Sequence, residues 1–107
     1  MITEIHVQES MDYLFESAMP SAQARADREV LKEGLKRVLA IQMRDANGKT
    51  VSERETVAHA SEAYQIALEG LREAITKDET FRALRSAHSA RIESWRTQQA
   101  TMRSVRL

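Results

Sequence analysis

Residues 24–43 read ARADREVLKEGLKRVLAIQM, and their apolar side chains recur at spacings of three, four and seven residues. Such spacing places them on one face of an α-helix, with the charged residues on the opposite face. Gly34 interrupts this helix at a cost of about 1 kcal/mol relative to alanine, which the apolar stripe offsets. Asn47-Gly48 is a strong C-terminal stop, so the sequence predicts a helix over residues 21–46. The stripe consists of Ala24, Leu31, Leu35, Val38, Leu39 and Met43.

A second long helix is predicted after a short helical turn. Ser52 and Glu55 have the spacing of a capping box, which predicts that a helical turn starts there. Ser61 is an N-cap type of residue, and no strong stop signal follows between Glu62 and about Arg103. The polar stretch 76–80 is the point where a kink could interrupt this helix, and the sequence leaves that open.

A short helix is predicted near the N-terminus. Apolar residues from Met11 to Met19 follow helical spacing, and Ser10 is an N-cap type of residue. Pro20 is expected to end this helix, because the residue before a proline is pushed out of the helical region. We therefore predict an all-α fold: one domain over residues 1–107, with a short helix at 10–19 and a long antiparallel, coiled-coil-like hairpin of helices 21–46 and 62–103. The contacts expected within the hairpin involve Leu31, Leu35, Val38, Leu71, Leu84, Ile92 and Trp95.

The composition and spacing of polar residues argue against an enzyme. The chain has no cysteine, which excludes disulfides, thiolate metal sites and a cysteine nucleophile. Glu55, His59 and Glu62 have the spacing of one helical face, but a bend expected near residues 59–61 interrupts it, and surface ion pairing explains them better than metal binding. His88 lies on the apolar face of its helix, which favours a hydrogen-bonded packing residue over a catalytic one. No phosphate loop, nucleophile elbow or membrane-length apolar stretch occurs, so we expect no catalysis, metal, cofactor or membrane span.

The net charge of zero conceals a gradient along the chain. Residues 1–20 carry four acids and no Lys or Arg, whereas residues 82–107 carry six arginines against Glu93 alone. One flank of the second long helix is therefore a candidate for contacting nucleic-acid phosphates without reading sequence. The alternative, which the residues favour slightly, is that these arginines pair with the N-terminal acids or remain solvated. The candidate phosphate-binding residues are Arg82, Arg85, Arg96 and Arg103.

The apolar face of the second long helix is longer than the first long helix can cover. Uninterrupted, the predicted helices would measure about 60 Å and about 39 Å. We therefore expect a homo-oligomer with the long helices at its interface, because an exposed apolar stripe of that length is unusual in a monomer. The candidate partner interface consists of Leu84, His88, Ile92, Trp95 and Met102.

Three stretches of the chain resemble one group of proteins: Glu9–Ala18 (ESMDYLFESA), His59–Ala74 (HASEAYQIALEGLREA) and Ala90–Ala100 (ARIESWRTQQA). Segments similar to these occur, in the same order, in small helical proteins of tailed phages and prophages that are encoded among early replication and recombination genes. The resemblance covers most of the chain. It implies a phage setting and a DNA-metabolism context, and it supplies no catalytic residues. The absence of cysteine and of a secretory or membrane-length apolar stretch leads us to expect a location in the cytoplasm of the host cell.

Two functions follow as expectations. The first is a non-enzymatic accessory protein of phage DNA recombination or replication, which binds DNA or a recombination partner through its basic C-terminal helix. The alternative is a helical protein–protein adaptor, or an inhibitor of a host factor, that binds no nucleic acid. The two differ in whether the arginines are engaged inside the chain or remain available to a ligand.

Overall fold

Three α-helices form the fold in the computed structural model, which describes residues 1–106. They are α1 (Glu4–Asp45), α2 (Val51–His59) and α3 (Glu62–Arg106). No strand occurs within these residues, and none of the three helices is long and apolar enough to cross a membrane. The prediction of an all-α fold based on two long helices is confirmed.

The chain forms two compact units, and both long helices run through both of them. Unit 1 comprises Met1–Ala22 and Glu79–Leu107, and unit 2 comprises Gln23–Asp78. In each unit a segment of α1 packs on a segment of α3. The sequence predicted one helical domain without such a division.

The two long helices are antiparallel, as predicted. Within unit 1, contacts move towards the start of α3 as they move towards the end of α1. Successive pairs are His6 with Arg91, Ser10 with His88, and Ser17 with Arg85. The antiparallel hairpin expected from the sequence is therefore present.

α1 starts six residues earlier than the first predicted helix. The Thr3 hydroxyl accepts a hydrogen bond from the His6 N–H at 3.3 Å, and His6 Nδ1 accepts one from the Thr3 N–H at 3.2 Å. These reciprocal bonds satisfy backbone donors that a helix N-terminus otherwise leaves unpaired. The helix can therefore begin at Glu4, and residues 4–9 are helical.

Pro20 lies inside α1 instead of ending it. The predicted separate helix over 10–19 is consequently the N-terminal part of one helix that continues through 21–45. An internal proline costs about 3 kcal/mol, because it removes a backbone hydrogen bond and crowds the preceding turn. Packing of α1 on α3, where Ser17 is buried just before the proline, offsets this cost.

α2 is capped two residues earlier than predicted. The Thr50 hydroxyl accepts a hydrogen bond from the Glu53 N–H at 3.1 Å, and the Glu53 carboxylate accepts one from the Lys49 N–H at 2.8 Å. This pairing replaces the capping box expected from Ser52 and Glu55. Thr50 has the extended backbone that an N-cap requires, with φ −115° and ψ 159°.

α3 begins at the predicted cap and continues without interruption. The Ser61 hydroxyl accepts a hydrogen bond from the Tyr64 N–H at 3.2 Å. The polar stretch 76–80 remains helical, because Asp78 faces inward and is 2% exposed. Its carboxylate accepts a hydrogen bond from the Arg28 guanidinium at 3.1 Å within unit 2. The least apolar stretch of α3 is therefore tied to α1 by an ion pair.

The apolar core is small for a chain of this length. The buried apolar residues are Val7, Ala24, Ala58 and Leu71. Most of the predicted hairpin contacts are half-buried, namely Leu35, Val38, Ile92 and Trp95. Leu31 and Leu84, by contrast, are exposed. Much of the apolar surface of α1 and α3 consequently remains in contact with solvent.

Candidate functional site

The seam between α1 and α3 in unit 1 is polar. Ser10 and Ser17 are buried there, together with Val7. Ser10 Oγ and His88 Nδ1 lie 2.8 Å apart and share a hydrogen bond. The Tyr13 ring stacks on the His88 imidazole, with 4.4 Å between the ring centroids. His88 is thus a hydrogen-bonded packing residue between the helices.

Arg85 of α3 is held by α1. Its Nη1 donates hydrogen bonds to the Leu14 carbonyl at 2.7 Å and to Ser17 Oγ at 2.6 Å. Both acceptors are neutral, so they fix the guanidinium in place without cancelling its charge. A phosphate would have to displace both bonds to reach this group. Arg85, a predicted phosphate-binding residue, therefore serves the helix pair in this structure.

Arg91 makes a second cross-helix contact in unit 1. It donates a hydrogen bond to the His6 carbonyl at 2.9 Å, and its Nη1 lies 3.6 Å from the Glu9 carboxylate. Pairing between an N-terminal acid and a C-terminal arginine, which the charge gradient favoured, is present at this position. Both side chains are partly exposed, which limits the contribution of the ion pair to stability.

The other predicted phosphate-binding arginines lie on the exposed side of α3. Arg82 lies 3.8 Å from Glu79 and Arg96 lies 2.8 Å from Glu93, and each pair is three residues apart on the same helix. Exposed pairs of this kind are weak and are screened by salt. Arg103 is exposed as well. The Arg96 and Arg103 side chains are therefore exposed to solvent.

A shallow depression lies on α3 near its C-terminal end. It has a volume of about 350 Å³ and is lined by Trp95, Arg96, Gln99 and Arg103. Trp95 is half-buried, and the residues from 100 to 106 are all exposed. The depression brings two of the predicted arginines beside the tryptophan ring.

The residues of the predicted partner interface on α3 differ in burial: some are half-buried in unit 1 and others are exposed. His88, Ile92 and Trp95 are half-buried. Leu84 and Met102 have exposed fractions of 45% and 38%. These five residues therefore do not form one continuous exposed apolar face.

The largest exposed apolar side chains of unit 1 lie on α1. Met11, Phe15 and Met19 have exposed fractions of 52%, 86% and 79%, and they follow one another at intervals of four residues. We call these three residues the α1 stripe. Asp12 and Glu16, both exposed, are their neighbours in sequence and give the surroundings a negative charge.

The sequence predicted a helix through the α1 stripe without assigning which of its faces packs on another helix, and the structure exposes the stripe. The signal that was missed is a second periodicity, in which spacings of three and four alternate as in a coiled-coil seam. Serines interrupt the apolar character of that seam. The members of the seam are Val7, Ser10, Leu14, Ser17, Ser21 and Ala24.

The histidine of α2 is engaged locally. His59 Nδ1 donates a hydrogen bond to the Glu55 carbonyl at 2.8 Å, and its ring packs edge-to-face with the Tyr64 ring, with 4.9 Å between the centroids. Within residues 1–106, no group of three or more His, Cys, Asp or Glu side chains could hold a metal ion.

At the end of α1, a hydrogen bond from Arg44 lowers the pKa of the exposed Asp45 carboxyl below its ordinary value.

Comparison with known proteins gives no match: neither a family model, nor a curated protein, nor a solved structure is similar to this chain.

Proposed function

We propose that this protein is a non-enzymatic helical binding protein that docks on a partner protein through the α1 stripe. The observation that carries the proposal is the orientation of α1 in unit 1, where serines face α3 and large apolar side chains face solvent. Three apolar anchors at intervals of four residues are the pattern by which a helix fits into an apolar groove. Because Asp12 and Glu16 adjoin the stripe, the groove that fits it has a basic rim.

The resemblance to small helical phage proteins gives the proposal its setting. We propose that the partner is a protein of phage DNA replication or recombination, or a host protein that acts in those processes. The α1 stripe lies within the stretch ESMDYLFESA and just beyond it, so the binding surface and the resemblance overlap.

A photoreactive amino acid at position 15 tests this proposal. We expect a cross-link to one partner protein in phage-infected cells, because the Phe15 side chain is 86% exposed in the free chain. The same amino acid at Lys32, an exposed position of α1 outside the stripe, is the matched control. Equal yields of the same product from both positions would contradict the proposal.

Phe15→Ala should weaken binding to the captured partner by about 2 kcal/mol or more, the effect of losing a buried aromatic anchor. The free energy of unfolding of the variant should stay within about 0.5 kcal/mol of the wild-type value, since the ring is exposed in the free chain. Isothermal titration calorimetry and urea denaturation measure the two quantities. A large loss of stability with unchanged affinity would contradict a role in binding.

Nucleic acid is a second candidate ligand, and the depression at Trp95 favours it. Arg96 and Arg103 line this depression beside an aromatic ring. Guanidinium groups bind phosphates, and an aromatic ring offers a surface for stacking a base. We propose that this end of α3 binds single-stranded nucleic acid without sequence preference. The N-terminal acids of unit 1 oppose such binding by repulsion, so the expected affinity is low.

Replacing Arg96 and Arg103 together with alanine tests this candidate. The logarithm of affinity for an oligonucleotide should depend less steeply on the logarithm of salt concentration, with the slope reduced by about 1.4 for two lost contacts to a single strand. The control variant Arg25→Ala/Lys32→Ala removes the same charge from exposed positions of α1 and should keep the wild-type slope. If the wild type fails to bind at low salt, the nucleic-acid candidate is wrong and the protein-binding proposal remains.

A further inference from the structure

Two glycines lie inside the long helices of unit 2, and the chain itself does not require either of them. Gly34 belongs to α1 and Gly70 to α3. A Cβ atom added to either glycine meets no atom within 4 Å, and neither glycine has a positive φ. Glycine weakens a helix relative to alanine, so these positions carry a penalty that the isolated chain does not repay. A bare backbone at an open surface permits close approach by another molecule.

The two glycines border adjoining depressions on the surface of unit 2. One has a volume of about 360 Å³ and includes Gly70 and Ala74, and the other has about 500 Å³ and includes Gly34. Val30 and Leu31 line both. Val30 is 69% exposed, so its side chain stands out from this surface into solvent. We call this surface, defined by these five residues, the glycine groove.

The glycine groove has the features that a two-fold contact needs. In such a contact the same patch of both copies must be complementary to itself. The groove contains a protruding side chain, Val30, beside two positions without a side chain. Its charged border carries four acids and two bases, so Arg37 and Lys77 of each copy have acids of the other copy to face across a two-fold axis. The border residues are Asp27, Glu29, Glu33, Arg37, Glu73 and Lys77.

The buried apolar core of unit 2 is small, since it consists of Ala24, Ala58 and Leu71. Val30 and Leu31 of the glycine groove are 69% and 39% exposed, so covering them would bury further apolar area.

We propose that the glycine groove is the interface of a homodimer, occupied by the same groove of a second copy. Val30 of each copy packs over Gly70 of the other, and the missing side chains allow the helices to approach closely. This surface belongs to unit 2, whereas the α1 stripe belongs to unit 1. The dimer therefore does not depend on the function proposed above.

Gly70→Leu tests the interface by sedimentation equilibrium. We expect the wild type to be a dimer at tens of micromolar. The added side chain should weaken self-association roughly 10- to 100-fold, the effect of overpacking a fitted contact. Ala90→Leu, at an exposed position of α3 in unit 1, makes a similar increase in volume and should leave the dimer intact. A monomeric wild type, or a Gly70→Leu dimer as tight as the wild type, would overturn the proposal.

The double variant Gly34→Ala/Gly70→Ala provides a second measurement, in which the sign of the change decides. In an isolated chain both substitutions should raise the melting temperature, because alanine favours the helix and its Cβ meets no other atom. In the proposed dimer the two methyl groups enter the contact, so the melting temperature should fall at concentrations where the wild type is dimeric and depend less steeply on protein concentration. A rise in melting temperature with unchanged self-association would refute the interface.

Discussion

Replacement of Arg28 by methionine should lower the free energy of unfolding by about 3–5 kcal/mol, a large part of the stability of a small protein. The guanidinium lies 3.1 Å from the Asp78 carboxylate, and that carboxylate is almost completely buried. Methionine keeps most of the aliphatic length but removes the charge, so a buried anion loses its cationic partner. Thermal denaturation should show a decrease of more than about 10 °C in the melting temperature.

Lys36→Met is the matched control, because Lys36 lies 3.2 Å from Glu33 in a pair of nearly the same length. The Lys36 and Glu33 side chains are both exposed, so the expected loss in the free energy of unfolding is below about 1 kcal/mol. The variant Arg28→Met/Asp78→Leu should regain most of the stability, since an apolar pair replaces both charges. Equal losses from Arg28→Met and Lys36→Met would show that burial is not what makes the Arg28 pair important.

Arg85→Ala should lower the free energy of unfolding by about 1.5–3 kcal/mol, the range for hydrogen bonds made by a charged group. The variant removes two short bonds to α1, to the Leu14 carbonyl and to Ser17 Oγ. Any affinity for nucleic acid should change little, because this guanidinium faces the helix pair. Urea denaturation and oligonucleotide titration measure the two effects on the same protein.

Arg96→Ala should give the opposite pattern. Its exposed pair with Glu93 contributes little to folding, so stability should remain within about 1 kcal/mol of the wild type. If α3 binds nucleic acid, affinity should fall with this variant and not with Arg85→Ala. Equal effects of both substitutions on stability would contradict the assignment of Arg85 to helix packing and of Arg96 to the exposed surface.

The sequence was sufficient to predict the class of fold, because long helices depend on local signals. The helix that carries the stripe from Ala24 to Met43 and the cap at Ser61 are both present, although Leu31 of the stripe is exposed. The start of α1 was missed because Thr3 and His6 cap it through an unusual pair. Pro20 was given too much weight, since packing along a helix outweighs the cost of one proline.

The candidate surfaces were harder to predict, because they depend on which face of α1 packs on α3. The face with serines is buried, and the face with Phe15 is exposed. An apolar pattern alone cannot distinguish a core from a docking surface, since burial stabilises both in the same way. The role of Arg85 could not be predicted from the sequence either. Its partners are a backbone carbonyl and a hydroxyl, which leave no charge pattern in the sequence.

The polar seam of unit 1 has a consequence for the order in which the chain assembles. Its contacts join residues 68 to 85 positions apart, whereas the Arg28–Asp78 pair of unit 2 spans 50. Closing the longer loops first would cost more chain entropy, so folding should proceed from the α2 end towards the termini. The serines and arginines of this seam bury little apolar area, so they contribute little to the stability of the terminal turns. We therefore expect the terminal turns to open first, before the α2 end of the hairpin unfolds.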